Sequence, residues 1–143
     1  MKDLIKKLVE TPGPSGHEEQ IRALIRSEVA PFADEIQVDA MGSLIVRKGC
    51  KTGAGKRIMV AGHMDEIGVM VTHVDDNGFL RFTSIGGVFP HTCIGGRVLF
   101  MNGVRGVIYT ESITDYPKMP SLDKLYIDVG ASSRENCPVS VGD

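Results

Sequence analysis

Apolar positions change their spacing twice along this chain. Leu4, Ile5, Leu8 and Val9 recur at helical intervals and predict a short amphipathic helix over residues 3–10. Thr11-Pro12-Gly13-Pro14 breaks it. Ser15, with Glu18 three residues on, has the form of a capping box. Ile21, Leu24, Ile25 and Val29 then share one face of a second helix that stops near Pro31. Residues 12–16 read locally as a connector between the two helices. Ile36 and Val38 alternate with Gln37 and Asp39, residues 40–43 turn, and Leu44-Ile45-Val46 return, which predicts a hairpin. Cys50 to Gly55 is a loop. Ile58-Met59-Val60, flanked by Lys56-Arg57, predicts a short buried strand.

After Gly68 the period shortens. Val69–Val74 is strand-like, Asp75-Asp76-Asn77-Gly78 is a strong turn, and Phe79–Phe82 returns. Residues 88–96 are irregular. Arg97–Met101 predicts a strand, Asn102-Gly103 a type I′ hairpin turn, and Val104–Tyr109 its partner. Residues 110–123 form a polar loop with two prolines, and Leu125–Val129 is a further strand closed by Gly130. Short, closely spaced strands suggest a small barrel or sandwich. The boundary falls near residue 67, with an α/β part over 1–67 and an all-β part over 68–143. Val139–Asp143 reads as the start of a strand plus a turn. The first part is thin for a complete sheet layer, so the chain is expected to be incomplete.

Composition narrows the classes. A length of 143 residues allows one ordinary domain or two very small ones. With 42% hydrophobic and 24% charged residues the chain is globular rather than disordered. A net charge of −2 supplies no field for nucleic acid or an acidic membrane. Aromatics at 6% and no Trp leave few platforms for stacking bases. Cys50, Cys93 and Cys137 are widely spaced without a CxxC pair, and read as free thiols in a reducing compartment. The N-terminus has no signal-peptide h-region, and no apolar run reaches membrane-spanning length, so a cytoplasmic location is expected.

The chemistry concentrates at the end of the apolar run Ile58–Val60, where Ala61-Gly62-His63-Met64-Asp65-Glu66-Ile67-Gly68 follows. His63 and Asp65 are two apart, so in extended chain they leave on one face. Open α/β sheets place ligands at strand ends of this kind. His63 is a good metal ligand, and Asp65 could share the ion or hold the imidazole in one tautomer. The plainer alternative is a strand end with a satisfied polar cap. His17, His73 and His91 have no partner at ligand spacing and read as surface or satisfied histidines. No GxSxG elbow and no phosphate-binding glycine loop is present. Asp65 and Glu66 are adjacent and would face opposite ways in a strand, which weakens a paired-carboxylate glycosidase.

Six stretches occur in order: Thr11-Pro12-Gly13-Pro14-Ser15-Gly16-x-Glu18, Met41-Gly42-Ser43-Leu44, Ala61–Gly68, Asp76-Asn77-Gly78-Phe79-Leu80, Ile85-Gly86-Gly87-Val88 and Ile127-Asp128-Val129-Gly130-Ala131. Together they resemble the N-terminal portion of the M42 metallo-aminopeptidases, the tetrahedral and glutamyl aminopeptidase group, some of whose members were named endoglucanases. The resemblance runs over the whole chain.

It implies the N-terminal part of a three-layer α/β metallopeptidase catalytic domain over 1–67. A β-barrel-like inserted dimerisation domain follows over 68–143, incomplete at its C-terminal end. It implies two divalent metal ions, zinc or cobalt, with His63 as a metal ligand and Asp65 as the neighbouring catalytic acid that sets the site's geometry. The implied reaction is hydrolysis of N-terminal residues from peptides, with a glutamate as general base. Partners would be peptide substrates and further copies of the chain, dimers building a larger assembly, with no nucleic acid and no membrane. The family's later motifs, which carry the other metal ligands and the glutamate base, find no match in residues 69–143. Asp75, Asp76, Asp128 and Asp143 fall in the inserted part and are not promoted. The chain alone is therefore expected to be inactive. The alternatives are a non-catalytic oligomerisation module and an endoglucanase-like glycan hydrolase.

Overall fold

The computed structural model describes residues 1–49, 53, 55–111 and 120–143. Two compact units, Met1–Glu66 and Ile67–Asp143, divide the chain.

The first unit begins with helices α1 (Lys2–Glu10) and α2 (Glu19–Val29). A single 3₁₀ turn over Ala30–Phe32 ends α2 at the expected proline. The Lys7 ammonium reaches the Glu28 carboxylate at 2.8 Å, a tie between the helices. Ile21 of α2 is this unit's one buried large apolar side chain among the described residues. It packs on Gly13, where an added Cβ would stand 2.4 Å from Ile21 Cγ2. Strands β1 (Glu35–Val38) and β2 (Leu44–Arg47) form the expected antiparallel hairpin. The Asp39 carboxylate shapes its turn by accepting the Met41 and Ser43 amides at 2.9 and 2.8 Å, and Gly42 takes φ +87° there.

Two expectations fail in this unit. The capping box does not form: α2 begins at Glu19 with no side-chain cap. Pro14–His17 makes a tight turn, with the His17 amide donating to Pro14 O at 2.8 Å, so Ser15 lies too far ahead of the helix to reach its first amides. Glu18 instead accepts the Gly16 amide at 2.6 Å. Nor is Ile58-Met59-Val60 a buried strand. These residues are extended and 87–92% exposed, and among the described residues no segment pairs with them. An apolar run becomes a strand only where neighbours take its backbone hydrogen bonds, and none does so here.

The second unit is a five-stranded antiparallel sheet in the order β3-β4-β7-β6-β5. Its strands are β3 (Gly68–Val74), β4 (Leu80–Ile85), β5 (Arg97–Leu99), β6 (Arg105–Thr110) and β7 (Leu125–Asp128). One face carries the core: Val71, Val74, Leu80, Phe82, Ile108, Leu125 and Ile127 are buried together with Cys93, Phe100 and Val139. In β6 the alternation is strict, with Gly106, Ile108 and Thr110 buried and Val107 and Tyr109 exposed. Val71 and Val74 lie three apart yet both enter the core, because a register shift between Val71 and His73 returns the strand to the same face. A short helix α3 (Pro90–Cys93) lies in the stretch read as irregular and delivers Cys93 to the core.

Two turns differ from expectation. No non-glycine residue has positive φ among the described residues, so Asn102-Gly103 is not a type I′ turn, which needs it at both positions. Gly103 donates to Phe100 O at 2.9 Å, Phe100 donates to Val104 O at 2.9 Å, and Gly103 has φ +86°. This is a three-residue loop with a glycine bulge, and Asn102 Oδ1 accepts the Val104 amide at 3.0 Å. Residues 139–143 likewise make a turn rather than a strand. Val139 is in the core, and the tail bonds the edge of β3: Val71 donates to Asp143 O at 2.8 Å and Gly142 donates to Val71 O at 2.9 Å. The polar loop at 110–123 and the Cys50–Gly55 loop lie in large part outside the described residues. No helix among the described residues is long and apolar enough to cross a membrane.

Candidate functional site

The segment from Gly62 to Glu66 meets the Gly13–Ser15 loop within the first unit. Glu66 donates its amide to Gly13 O at 2.9 Å, and its carboxylate accepts the Gly13 amide at 3.0 Å. This two-way strap sets the 65–66 backbone parallel to the loop, with Pro14 and Glu66 as bridge partners. One step along on each side, the Ser15 hydroxyl donates to Asp65 Oδ2 at 2.6 Å.

Asp65 in turn holds His63. The imidazole Nδ1 lies 3.0 Å from the Asp65 carbonyl oxygen and 3.1 Å from Asp65 Oδ1. Both partners are acceptors, so Nδ1 must be the donor and carry the ring proton. Nε2 then keeps its lone pair, the form in which histidine binds a metal. The Ser15 hydroxyl, followed by Asp65's own amide and the His63 ring, holds the Asp65 carboxyl below the usual aspartate range, so it is an anion at neutral pH. His63 is 85% exposed. It stands at the edge of an open cleft of about 340 Å³, whose walls include Glu18, Met41, Ser43, Gly62 and Asp65.

The two residues singled out in the sequence are thus brought together, although on irregular backbone rather than at a strand end. The chemistry of this donor set fits one ligand position of a metal centre, an oriented imidazole backed by a carboxylate. It does not fill one, since a catalytic zinc takes three protein ligands. Among the described residues no group of three or more His, Cys, Asp or Glu side chains could hold an ion. His17, His73 and His91 are exposed on the surface, as expected. Gly13, Ser15 and Glu66 escaped the sequence reading as site elements. The connector over 12–16 is in fact the support for the acidic pair, and its signals were the unusual Pro-Gly-Pro-Ser composition and its place among the six stretches of the resemblance. Nothing local pairs it with residues about fifty positions on.

Comparison with known proteins places the chain in a family. A putative aminopeptidase of Acetivibrio thermocellus is 52% identical over 145 residues, covering 100% of this chain and 43% of its own length. A TET aminopeptidase from a marine sediment archaeon of the Thaumarchaeota superposes with a TM-score of 0.86 and 34% identity, over 99% of this chain and 43% of that one. The TET1 peptidase of Pyrococcus horikoshii, which can assemble into a tetrahedron or a large octahedral shell, gives a TM-score of 0.85 and 36% identity over 99% and 44%. The chain thus spans less than half the length of the proteins it matches, and has the mixed α/β fold of the TET aminopeptidases over that span. A family model described as M42 glutamyl aminopeptidase matches residues 42–143, and the chain belongs to that family.

Proposed function

We propose that this chain is part of a metal-dependent aminopeptidase that removes N-terminal residues from peptides at a centre of two divalent ions, zinc or cobalt. The observation that carries the reading is the imidazole of His63, committed through Nδ1 to Asp65 and free at Nε2, in a chain of the M42 family. His63 would hold one ion through Nε2, and Asp65 would fix the ring's tautomer and orientation. When bound, the ions would supply Lewis-acid polarisation of the scissile carbonyl and of the attacking water.

The remaining ligands and the general base would come from polypeptide outside these residues. Support for this lies in the lack, among the described residues, of any group of three metal-ligating side chains, and in relatives more than twice as long. The chain by itself is accordingly inactive. We assign residues 1–67 to the catalytic domain and 68–143 to an inserted domain that builds homo-oligomers. The exposure of Leu99, Val107 and Tyr109, at 58, 44 and 55%, suits a sheet that meets another copy. A reducing, cytoplasmic setting suits the free thiols Cys93 and Cys137. Glycan hydrolysis is disfavoured, because the neighbouring Glu66 carboxylate is engaged by the Gly13 amide.

The test is hydrolysis of an N-terminal aminoacyl amide with and without added Co²⁺ or Zn²⁺. The 143-residue chain should be inactive in both cases. A chimera in which it replaces the matching part of the Acetivibrio relative should turn over with metal and lose this with His63→Ala. Undiminished turnover in the His63→Ala chimera would overturn the assignment.

A further inference from the structure

We infer that Ser15 is a positioning residue for His63, acting through Asp65. The inference rests on the reading of His63 as a metal ligand and extends it to a loop fifty residues upstream.

A carboxylate turns easily about its terminal torsion, where the preference is broad and two-fold. Asp65 is 39% exposed at its side chain, so packing alone does not stop that rotation. The Ser15 hydroxyl stops it by occupying Oδ2 at 2.6 Å, which leaves Oδ1 facing His63 Nδ1 at 3.1 Å. Ser15 is itself held in place. Pro12 and Pro14 restrict the loop's φ angles, and Gly13 is tied to Glu66 by both its amide and its carbonyl. The path Ser15–Asp65–His63 therefore runs from a braced backbone to a ring nitrogen through two hydrogen bonds. Its effect is to add the carboxylate to the Asp65 carbonyl oxygen, 3.0 Å from Nδ1, in keeping the proton on Nδ1 and the lone pair on Nε2.

Removing the hydroxyl frees Oδ2, lets the carboxylate turn toward water, and weakens the preference for the Nδ1–H tautomer. The strap between Gly13 and Glu66 does not involve the hydroxyl and should survive.

The experiment reads the ring directly. Long-range ¹H–¹⁵N spectra of histidine-labelled chain are recorded without metal at mildly alkaline pH. The unmodified chain should show His63 protonated at Nδ1. Ser15→Ala should shift it toward the Nε2–H form, Ser15→Thr should restore it, and the Gly13 and Glu66 amides should stay protected in all three. Titration with Zn²⁺ alone should then move the Nε2 signal, with apparent affinity roughly 10- to 100-fold weaker in Ser15→Ala, the usual cost of losing support behind a ligand. A ring unchanged by Ser15→Ala but altered by Asp65→Asn would overturn the role given to Ser15, as would an Nε2–H tautomer in the unmodified chain. If Ser15→Ala shifts the ring while Zn²⁺ moves the Nε2 signal neither in the chain nor in the chimera with the Acetivibrio relative, the positioning role stands and the metal reading falls.

Discussion

A Cβ placed on Gly106 would stand 2.5 Å from Ile127 Cγ2 and 3.1 Å from the Asp128 carbonyl oxygen. Gly106 faces the core of the second unit, on the strand paired with β7, and neither of those neighbours is a flexible side-chain end. Gly106→Ala should therefore overpack the sheet and cost about 1–3 kcal/mol. Denaturant titration measures this, and a midpoint unchanged from the parent protein would show that β6 and β7 can separate freely.

Leu80 and Ile127 are wholly buried cross-strand partners at the one paired position between β4 and β7. Leu80→Ala should leave a cavity at that junction and lower stability by about 2–5 kcal/mol. The same titration, followed by a probe in each unit, would show whether Met1–Glu66 unfolds with the sheet or separately.

Among the described residues of the second unit, Arg81 and Glu111 form the closest ion pair, at 2.6 Å, with Lys124 3.7 Å from the other carboxylate oxygen. Arg81 first, and Lys124 after it, hold the Glu111 carboxyl below its ordinary value of 4.5. A carboxyl depressed in the folded state stabilises above its unfolded value, and the contribution disappears as pH falls through the folded one. Glu111→Gln should thus lower stability slightly at pH 7, by the small amount of an exposed pair. The difference should vanish under strongly acidic conditions. A difference that persists in acid would trace to packing rather than charge.

Asp39 holds the turn between β1 and β2 through the Met41 and Ser43 amides. Asp39→Ala should speed hydrogen exchange at Met41, Ser43 and the adjoining hairpin amides, with no change in the sheet of the second unit. Exchange that accelerates in both units would instead indicate global loosening.

What was legible in the sequence was whatever depends on near neighbours. Helical spacing marked α1 and α2, because i, i+3 and i+4 positions share a face whatever lies beyond them. Alternation marked β1, and turn signals beside apolar runs marked β2, β6 and β7. His63 and Asp65 were recognisable as a pair because two residues of extended chain bring their side chains to one side. Where local rules failed, a longer-range partner had intervened or was missing. Ser15 carries a good capping signature, yet its hydroxyl bonds a carboxylate fifty positions away. Ile58–Val60 has a strand's composition and no strand beside it. Val71 and Val74 share the core only because a bulge, set by pairing with β4, shifts the register between them. The sequence by itself thus determined most of the helical and extended segments and which two side chains could meet. The tertiary structure decided which strands found partners, and what stands behind His63 to hold its ring. Hydrogen-bond partners distant in sequence are chosen by the packed chain, and no local pattern records that choice.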